Sequence, residues 1–212
     1  MTIFLGLTGS IGMGKSTTAD MFRDAQIPVY DSDATVHQLY SGKAAPLVEE
    51  AFPGTTLQGV VNRAILSKHV VGDEVAMKKL EAIVHPLVRE AELKFRQTVS
   101  QQGAELAILD IPLLFETGRE DRVDGIIVVT APAEVQKERV LARPGMDEAK
   151  FQSILQRQVP DADKRQNATY VIDTSKGLDW ARQRVDQIIK DVLQKASTAD
   201  GTDVSNLVDP DA

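Results

Sequence analysis

Cysteine is absent from the 212 residues, which excludes disulfide bridges, thiolate catalysis and cysteine-ligated zinc by arithmetic alone. The absence is in keeping with a reducing compartment. Histidine is scarce: His37, His69 and His85 are spaced in no recognisable metal-binding pattern, so no zinc site is expected. Aromatic residues make up 5% of the chain, and the single tryptophan, Trp180, falls in the final amphipathic stretch, where a core role is expected. No apolar run approaches bilayer-spanning length, and the first strand-like run starts at Ile3, leaving no room for a signal peptide. A soluble, cytoplasmic protein with no membrane partner is the expectation. Basic charge is also short, with 24 Lys and Arg against 31 Asp and Glu and a net charge of −7. Nucleic acid is therefore not expected as a partner, because phosphate-backbone binding wants a basic face. A locally basic site is still allowed. A monomer or a small homo-oligomer is expected.

What the chain does have is Gly9-Ser10-Ile11-Gly12-Met13-Gly14-Lys15-Ser16. This matches the phosphate-binding pattern Gly-x-x-x-x-Gly-Lys-Ser/Thr, and it lies between an apolar, strand-like run and the helix-like residues from Thr17 onward, the context the motif requires. Glycines let successive backbone N–H groups turn toward phosphate oxygens, and the helix start adds its positive end to the same place. In this chemistry Lys15 reaches the β- and γ-phosphates and the Ser16 hydroxyl ligates Mg²⁺.

Five apolar runs, at 3–7, 27–30, 106–111, 126–130 and 169–172, alternate with helical patterns. The pattern predicts an α/β fold with a five-stranded parallel sheet. Residues 34–103 contain no convincing strand and are expected to form a helical insertion, with helical stretches at 36–40, 47–52, 74–83 and 87–100 and with Pro86 at the first turn of the last one. The expected organisation is a nucleotide-binding core, 1–33 and 104–195, interrupted by that insertion. Residues 196–212 hold four aspartates and no Lys or Arg, over half of the net charge, and are expected to be a disordered acidic tail.

Several residues have the chemistry of a phosphoryl-transfer site. Asp31 and Asp33 stand where the second strand meets the helical insertion. A carboxylate accepting the proton of an attacking hydroxyl is a recurring part of such sites, while Asp at a strand-to-helix junction is equally at home as a turn or capping residue. Asp110 closes the third strand, as the Mg²⁺-holding Asp does in the second motif of nucleotide-hydrolysing proteins. Between strands four and five lie Lys137, Arg139, Arg143, Arg157, Lys164 and Arg165, on two short helical patterns joined at Pro144-Gly145. Together they suggest a lid, about 137–165, that neutralises moving charge and excludes water, although interleaved acids would equally suit a solvated, salt-bridged face. His85, placed before Pro86, is expected at a turn.

The combination of 6–16, Asp-Ser-Asp at 31–33, Val-His-Pro at 84–86, Asp-Ile-Pro-Leu-Leu-Phe-Glu at 110–116 and Gln-Arg-Gln at 156–158 resembles the dephospho-CoA kinase family. The resemblance runs from Met1 to about Leu193. It implies a P-loop kinase core with a helical CoA-binding domain and a lid, using ATP and Mg²⁺ to phosphorylate the ribose 3′-hydroxyl of dephospho-CoA in the last step of coenzyme A synthesis. By position it implies Asp33 as the base for that hydroxyl, Gly12, Met13, Gly14, Lys15, Ser16 and Thr17 as ATP-phosphate ligands, Arg143 as a lid residue, and Arg63, His85, Leu113, Leu114 and Glu116 on the acceptor side. Ser10 stands where many members have Gly, and Asp173-Thr174-Ser175 replaces a more usual Asp-Asn stretch.

Another small-molecule or nucleoside monophosphate kinase would share this architecture. A GTP-driven switch would require an Asn-Lys-x-Asp element near the later strands, which the chain lacks.

Overall fold

The computed structural model describes residues 1–200. In chain order the elements are β1 (Ile3–Thr8), α1 (Lys15–Asp24), β2 (Val29–Asp31), α2 (Ser32–Tyr40), α3 (Ala44–Ala51), β3 (Thr56–Leu57), β4 (Val60–Val61), α4 (Arg63–Val70), α5 (Glu74–Gln101), β5 (Leu106–Asp110), β6 (Gly125–Thr130), α6 (Ala133–Leu141), α7 (Glu148–Leu155), α8 (Asp161–Gln166), β7 (Tyr170–Asp173) and α9 (Leu178–Asp200). The chain divides into two compact units, Met1–Val29 with Val99 onward, and Tyr30–Thr98. The second unit begins four residues earlier and ends five earlier than the 34–103 expected from sequence.

The first unit is built on a parallel sheet of order β2-β5-β1-β6-β7. Every residue of β5 and β6 is buried, which is why both read as unbroken apolar runs: a parallel strand covered on both faces has no polar side to alternate with. Leu5 pairs with Ile108 on one side and Gly125 on the other. The order reverses at β1, and the crevice beyond the carboxyl end of a strand at such a reversal is where open α/β sheets bind ligands. The loop after β1 therefore starts at that crevice. Below it, Leu7, Phe22, Ile108, Ile127, Val185 and Ile188 share one core and are almost wholly inaccessible. Burial of a side chain such as Phe22 contributes roughly 1.5–3 kcal/mol.

The helical unit has a core of its own, including Tyr40, Val48, Phe52, Leu66, Leu80 and Val84. Three of its features differ from the sequence expectation. First, β3 and β4 form an antiparallel hairpin across Gln58 and Gly59, both in the left-handed region at φ 53 and 79. Two-residue strands are too short to leave a periodic signature, but the Gln-Gly turn suits the twist a tight hairpin needs. Glu49 secures the hairpin by accepting from the N–H of Gly54 and from the N–H and hydroxyl of Thr56, and these bonds hold its carboxyl below the usual range. Second, α4 forms where no helix was expected, started by Asn62, whose side chain accepts from the N–H of Ala64 and Ile65. Third, 74–101 is one helix with Pro86 inside it, not two helices divided there. A proline in a helix interior removes one hydrogen bond and crowds the preceding turn, yet the apolar stripe through Leu80 and Val84 continues and is buried. His85 is accordingly an exposed mid-helix residue and not a turn residue.

The expected tail boundary is also corrected. Helix α9 runs through Asp200, because no helix-breaking residue occurs before Gly201. The rest of the expected acidic tail, 201–212, lies outside the described residues. Trp180 is partly buried against the first core with Lys176 over its ring. Among the described residues no helix is long and apolar enough to cross a membrane.

Candidate active site

The phosphate loop turns directly off β1. Gly12 and Gly14 have φ values of 78 and 89, a region a side chain seldom adopts. Neither position has space for one: a Cβ on Gly12 would lie 2.5 Å from Val140 Cγ2, and one on Gly14 would lie 3.1 Å from Thr174 Cγ2. Ser10, in contrast, is not among the positive-φ residues, so it needs no glycine and the departure there is accommodated. Gly14 caps α1 without a side-chain bond, and the first turn of the helix contains no acid. The N–H groups of that turn and the positive end of the helix are thus left for an anion.

Lys15 opens α1, and its Nζ lies 2.5 Å from Asp110 Oδ1. The Asp110 side chain is only 4% exposed. Two residues given separate roles from sequence, Lys15 toward phosphate and Asp110 toward metal, are thus brought together as an ion pair. The buried Asp110 carboxylate and the hydroxyl of Ser16, which follows the lysine paired with it, are hard oxygen donors. Mg²⁺ is usually held by one or two such groups, with waters and phosphate oxygens completing the shell, so these residues fit that ion. Among the described residues no cluster of three or more acidic, His or Cys ligands occurs.

Beside the loop is a cavity of about 300 Å³ whose lining includes Gly12, Gly14, Thr17, Arg139, Arg143 and Thr174. Thr174 joins three elements here. Its hydroxyl donates toward the Met13 carbonyl at 2.9 Å and accepts from Arg139 at 2.8 Å, while its own carbonyl accepts from Arg139 at 2.9 Å. A position noted from sequence only as a departure is thereby a junction between the phosphate loop, α6 and the end of β7. The adjacent Asp173 has its carboxyl held below the usual range: burial pushes it up, but bonds from the Ser175 N–H and hydroxyl and the nearby Lys176 and Arg139 outweigh that.

The basic residues of 137–165 do not act as one cluster. Lys137 pairs with Glu148 at 2.9 Å and Arg165 with Asp161 at 2.8 Å, both on the surface. Lys164 is fully buried against Glu116 at 2.8 Å, a close ion pair whose angles fall outside hydrogen-bonding range. Arg139 is committed to Thr174, whereas Arg143 is exposed on the cavity wall. The segment also contains a third helix, α8, beyond the two expected.

The residues expected on the acceptor side fall in both units. Leu113 is 44% exposed, but Leu114 has no exposed surface and packs beneath β1 against Gly6. Glu116 faces α8, accepting from the Val159 N–H at 3.0 Å in addition to its pairing with Lys164. In the helical unit Arg63 is the exposed first residue of α4, and its charge opposes the upward push that burial gives the Tyr40 hydroxyl. His85 is exposed on α5. The two aspartates at the junction of β2 and α2 have distinct places: Asp31 is the N-cap of α2, accepting from the Ala34 N–H at 2.8 Å, while Asp33 is exposed in the first turn. Sequence reasoning missed Gln136, Met21, Leu178 and Ala181 as neighbours of the loop and cavity. Three of the four are aliphatic or thioether side chains with no chemical signature.

The family model for dephospho-CoA kinase matches residues 3–179. A dephospho-CoA kinase of Mesorhizobium japonicum is 60% identical over 190 residues, covering 90% of this chain and 96% of that protein. One from Brucella melitensis is 56% identical over 197 residues, covering 93% and 98%. Among solved structures, TT1252 from Thermus thermophilus superposes with a TM-score of 0.78 at 36% identity, covering 92% of this chain and 97% of that one. The dephospho-CoA kinase from Campylobacter jejuni, at 22% identity, shares the fold with a TM-score of 0.65, covering 90% and 97%. With a phosphate loop at the sheet's switch point, a lysine on a buried aspartate and a family match spanning most of its length, the chain belongs to the dephospho-CoA kinase family.

Proposed function

We propose that this chain transfers the γ-phosphoryl group of ATP to the ribose 3′-hydroxyl of dephospho-CoA, giving coenzyme A and ADP. The observation that carries the reading is Lys15 at the uncapped start of α1, aligned on buried Asp110, within a chain that matches the family from residue 3 to 179. Phosphoryl transfer asks a protein chiefly for positioning and for neutralisation of charge. The N–H groups of 12–17 and the Lys15 ammonium hold the phosphates. Lys15 leaves Asp110 for the phosphate when nucleotide arrives, and Ser16 and Asp110 would then hold Mg²⁺. When bound, that ion supplies neutralisation of the charge developing on the leaving β-phosphate.

Asp33 accepts the proton as the 3′-oxygen forms its bond to the γ-phosphorus and the bond from that phosphorus to ADP breaks. Its exposure supports the role, since Asp31 already serves the helix as a cap. Arg143, exposed on the cavity wall, is placed to meet charge on the transferring group. Leu113, Arg63 and His85 are acceptor-side candidates, while Glu116 is engaged with α8. We take the enzyme to be cytoplasmic, acting as a monomer or small homo-oligomer without nucleic acid.

Coupled measurement of ADP release with dephospho-CoA, AMP and pantothenate in parallel tests the reading. Release is expected only with dephospho-CoA, and Lys15→Ala should lower it by roughly 100- to 1,000-fold, the usual loss for one transition-state charge contact. Preference for AMP or pantothenate, or near-normal turnover in Lys15→Ala, would overturn it.

A further inference from the structure

Ile11 sits in the phosphate loop, and both polar groups of its main chain are held by side chains from outside the loop. Its N–H donates to Gln158 Oε1 at 3.1 Å, and its carbonyl accepts from Gln136 Nε2 at 2.7 Å. The neighbouring Ser10 carbonyl accepts from the Met13 N–H at 3.2 Å. A trans peptide unit is planar, with its C=O and N–H pointing in opposite directions. Gln158 and Met13 therefore fix the plane of the Ser10–Ile11 peptide from its two sides. Gln136 fixes the next plane, and with it the direction of the Gly12 N–H.

Both glutamines are themselves moored. Gln136 belongs to α6, is 5% exposed, and lies where the helix already touches Gly12. Gln158 lies between α7 and α8, next to Val159, whose N–H donates to Glu116, and Glu116 pairs with the fully buried Lys164. The buried ion pair thus anchors the residue that follows Gln158. This also gives the Gln-Arg-Gln stretch a physical task that its sequence did not disclose.

We propose that Gln136 and Gln158 are positioning residues for the nucleotide: they lock two consecutive peptide planes so that the Gly12 N–H faces the phosphates. The proposal rests on the reading of the loop as the ATP site. Neither glutamine contacts the reacting groups, and both act through the backbone of Ile11 and Gly12. Their loss should fall on ATP and spare the acceptor.

Gln158→Met and Gln136→Met keep side-chain length and remove the bonds. The dissociation constant for ATP, measured calorimetrically without acceptor, is expected to rise about tenfold in each variant, the loss corresponding to one hydrogen bond. KM for ATP should follow it, while KM for dephospho-CoA and the melting temperature stay at the wild-type values. Should Gln136→Met fail to fold, Gln158→Met, at a half-buried position, decides alone. A folded Gln158→Met variant that binds ATP as tightly as wild type, or that loses affinity for the acceptor equally, overturns the proposal. Because ATP binding is read without acceptor, a wild-type chain that binds ATP but leaves dephospho-CoA unphosphorylated defeats the proposed function and not this one.

Discussion

Two aspartates separated by a single serine illustrate how separable roles are at the scale of the side chain. Asp31 accepts the Ala34 N–H and starts α2, so Asp31→Ala should cost about 1 kcal/mol of stability, read as a lower urea midpoint, with turnover largely kept. Asp33→Asn keeps the shape of the side chain and removes its ability to take a proton. The expected result is a kcat lowered by roughly 100-fold or more with ATP affinity unchanged in calorimetry. Wild-type turnover in Asp33→Asn would reduce it to a surface acid. By residue type alone the pair was open, because a cap and a base are the same kind of side chain at a strand-to-helix junction; the bond from the Ala34 N–H identifies Asp31 as the cap, and the base role of Asp33 is what the family resemblance implies. Lys15, Gly12 and Gly14 were legible because the phosphate motif is a local property of consecutive residues. That Lys15 rests on Asp110, 95 positions away, depends on the pairing of β1 with β5. Leu114 was misplaced because nothing in Leu113-Leu114 says which of two leucines turns inward, and the structure buries the second.

At the scale of elements, 137–165 is unevenly tethered. Its far end is fastened by the fully buried Lys164 on Glu116, whereas the join of α6 to α7 at Pro144 and Gly145 is exposed and bridged by the surface pair Lys137–Glu148, of a kind that adds little to stability. Hydrogen exchange should therefore show protection gained on adding ATP with dephospho-CoA chiefly over 142–157, with α8 protected throughout. Arg143→Ala should lower kcat by about 100-fold and leave acceptor KM nearly unaltered. Equal exchange with and without ligands, together with unchanged kcat, would return the segment to a solvated helical face. Elements were readable in proportion to their length and periodicity. The inner strands β1, β5 and β6 announced themselves as buried runs, but the two-residue strands of the hairpin could not. Pro86 misled because a strong local breaker was outweighed by the buried stripe of α5 on either side of it.

For the whole molecule, nucleotide binding and stability are linked through the unit that carries the loop. At a concentration of 100 times its dissociation constant, ATP should add about 2.7 kcal/mol to the stability of the Met1–Val29 and Val99-onward unit, visible as a higher melting temperature that Lys15→Ala abolishes. Failure of ATP to raise the melting temperature would mean that the folded chain does not bind it, and would overturn the reading of the loop. The division into two units was readable from the long gap between strand-like runs, while its bounds shifted by several residues because β2 and α5 each straddle a border. That division also sets an order of events at birth. The residues of the helical unit are contiguous and leave the ribosome together, with their own core. β1, made before that unit, must wait, since Leu5 pairs with Ile108 on one side and Gly125 on the other. The strand that leads into the ATP loop thus emerges with both edges bare and stays so for more than a hundred residues of synthesis. A strand made before the helical unit is thus completed after it, and a nascent chain stalled within α5 would hold a phosphate loop with no sheet to support it.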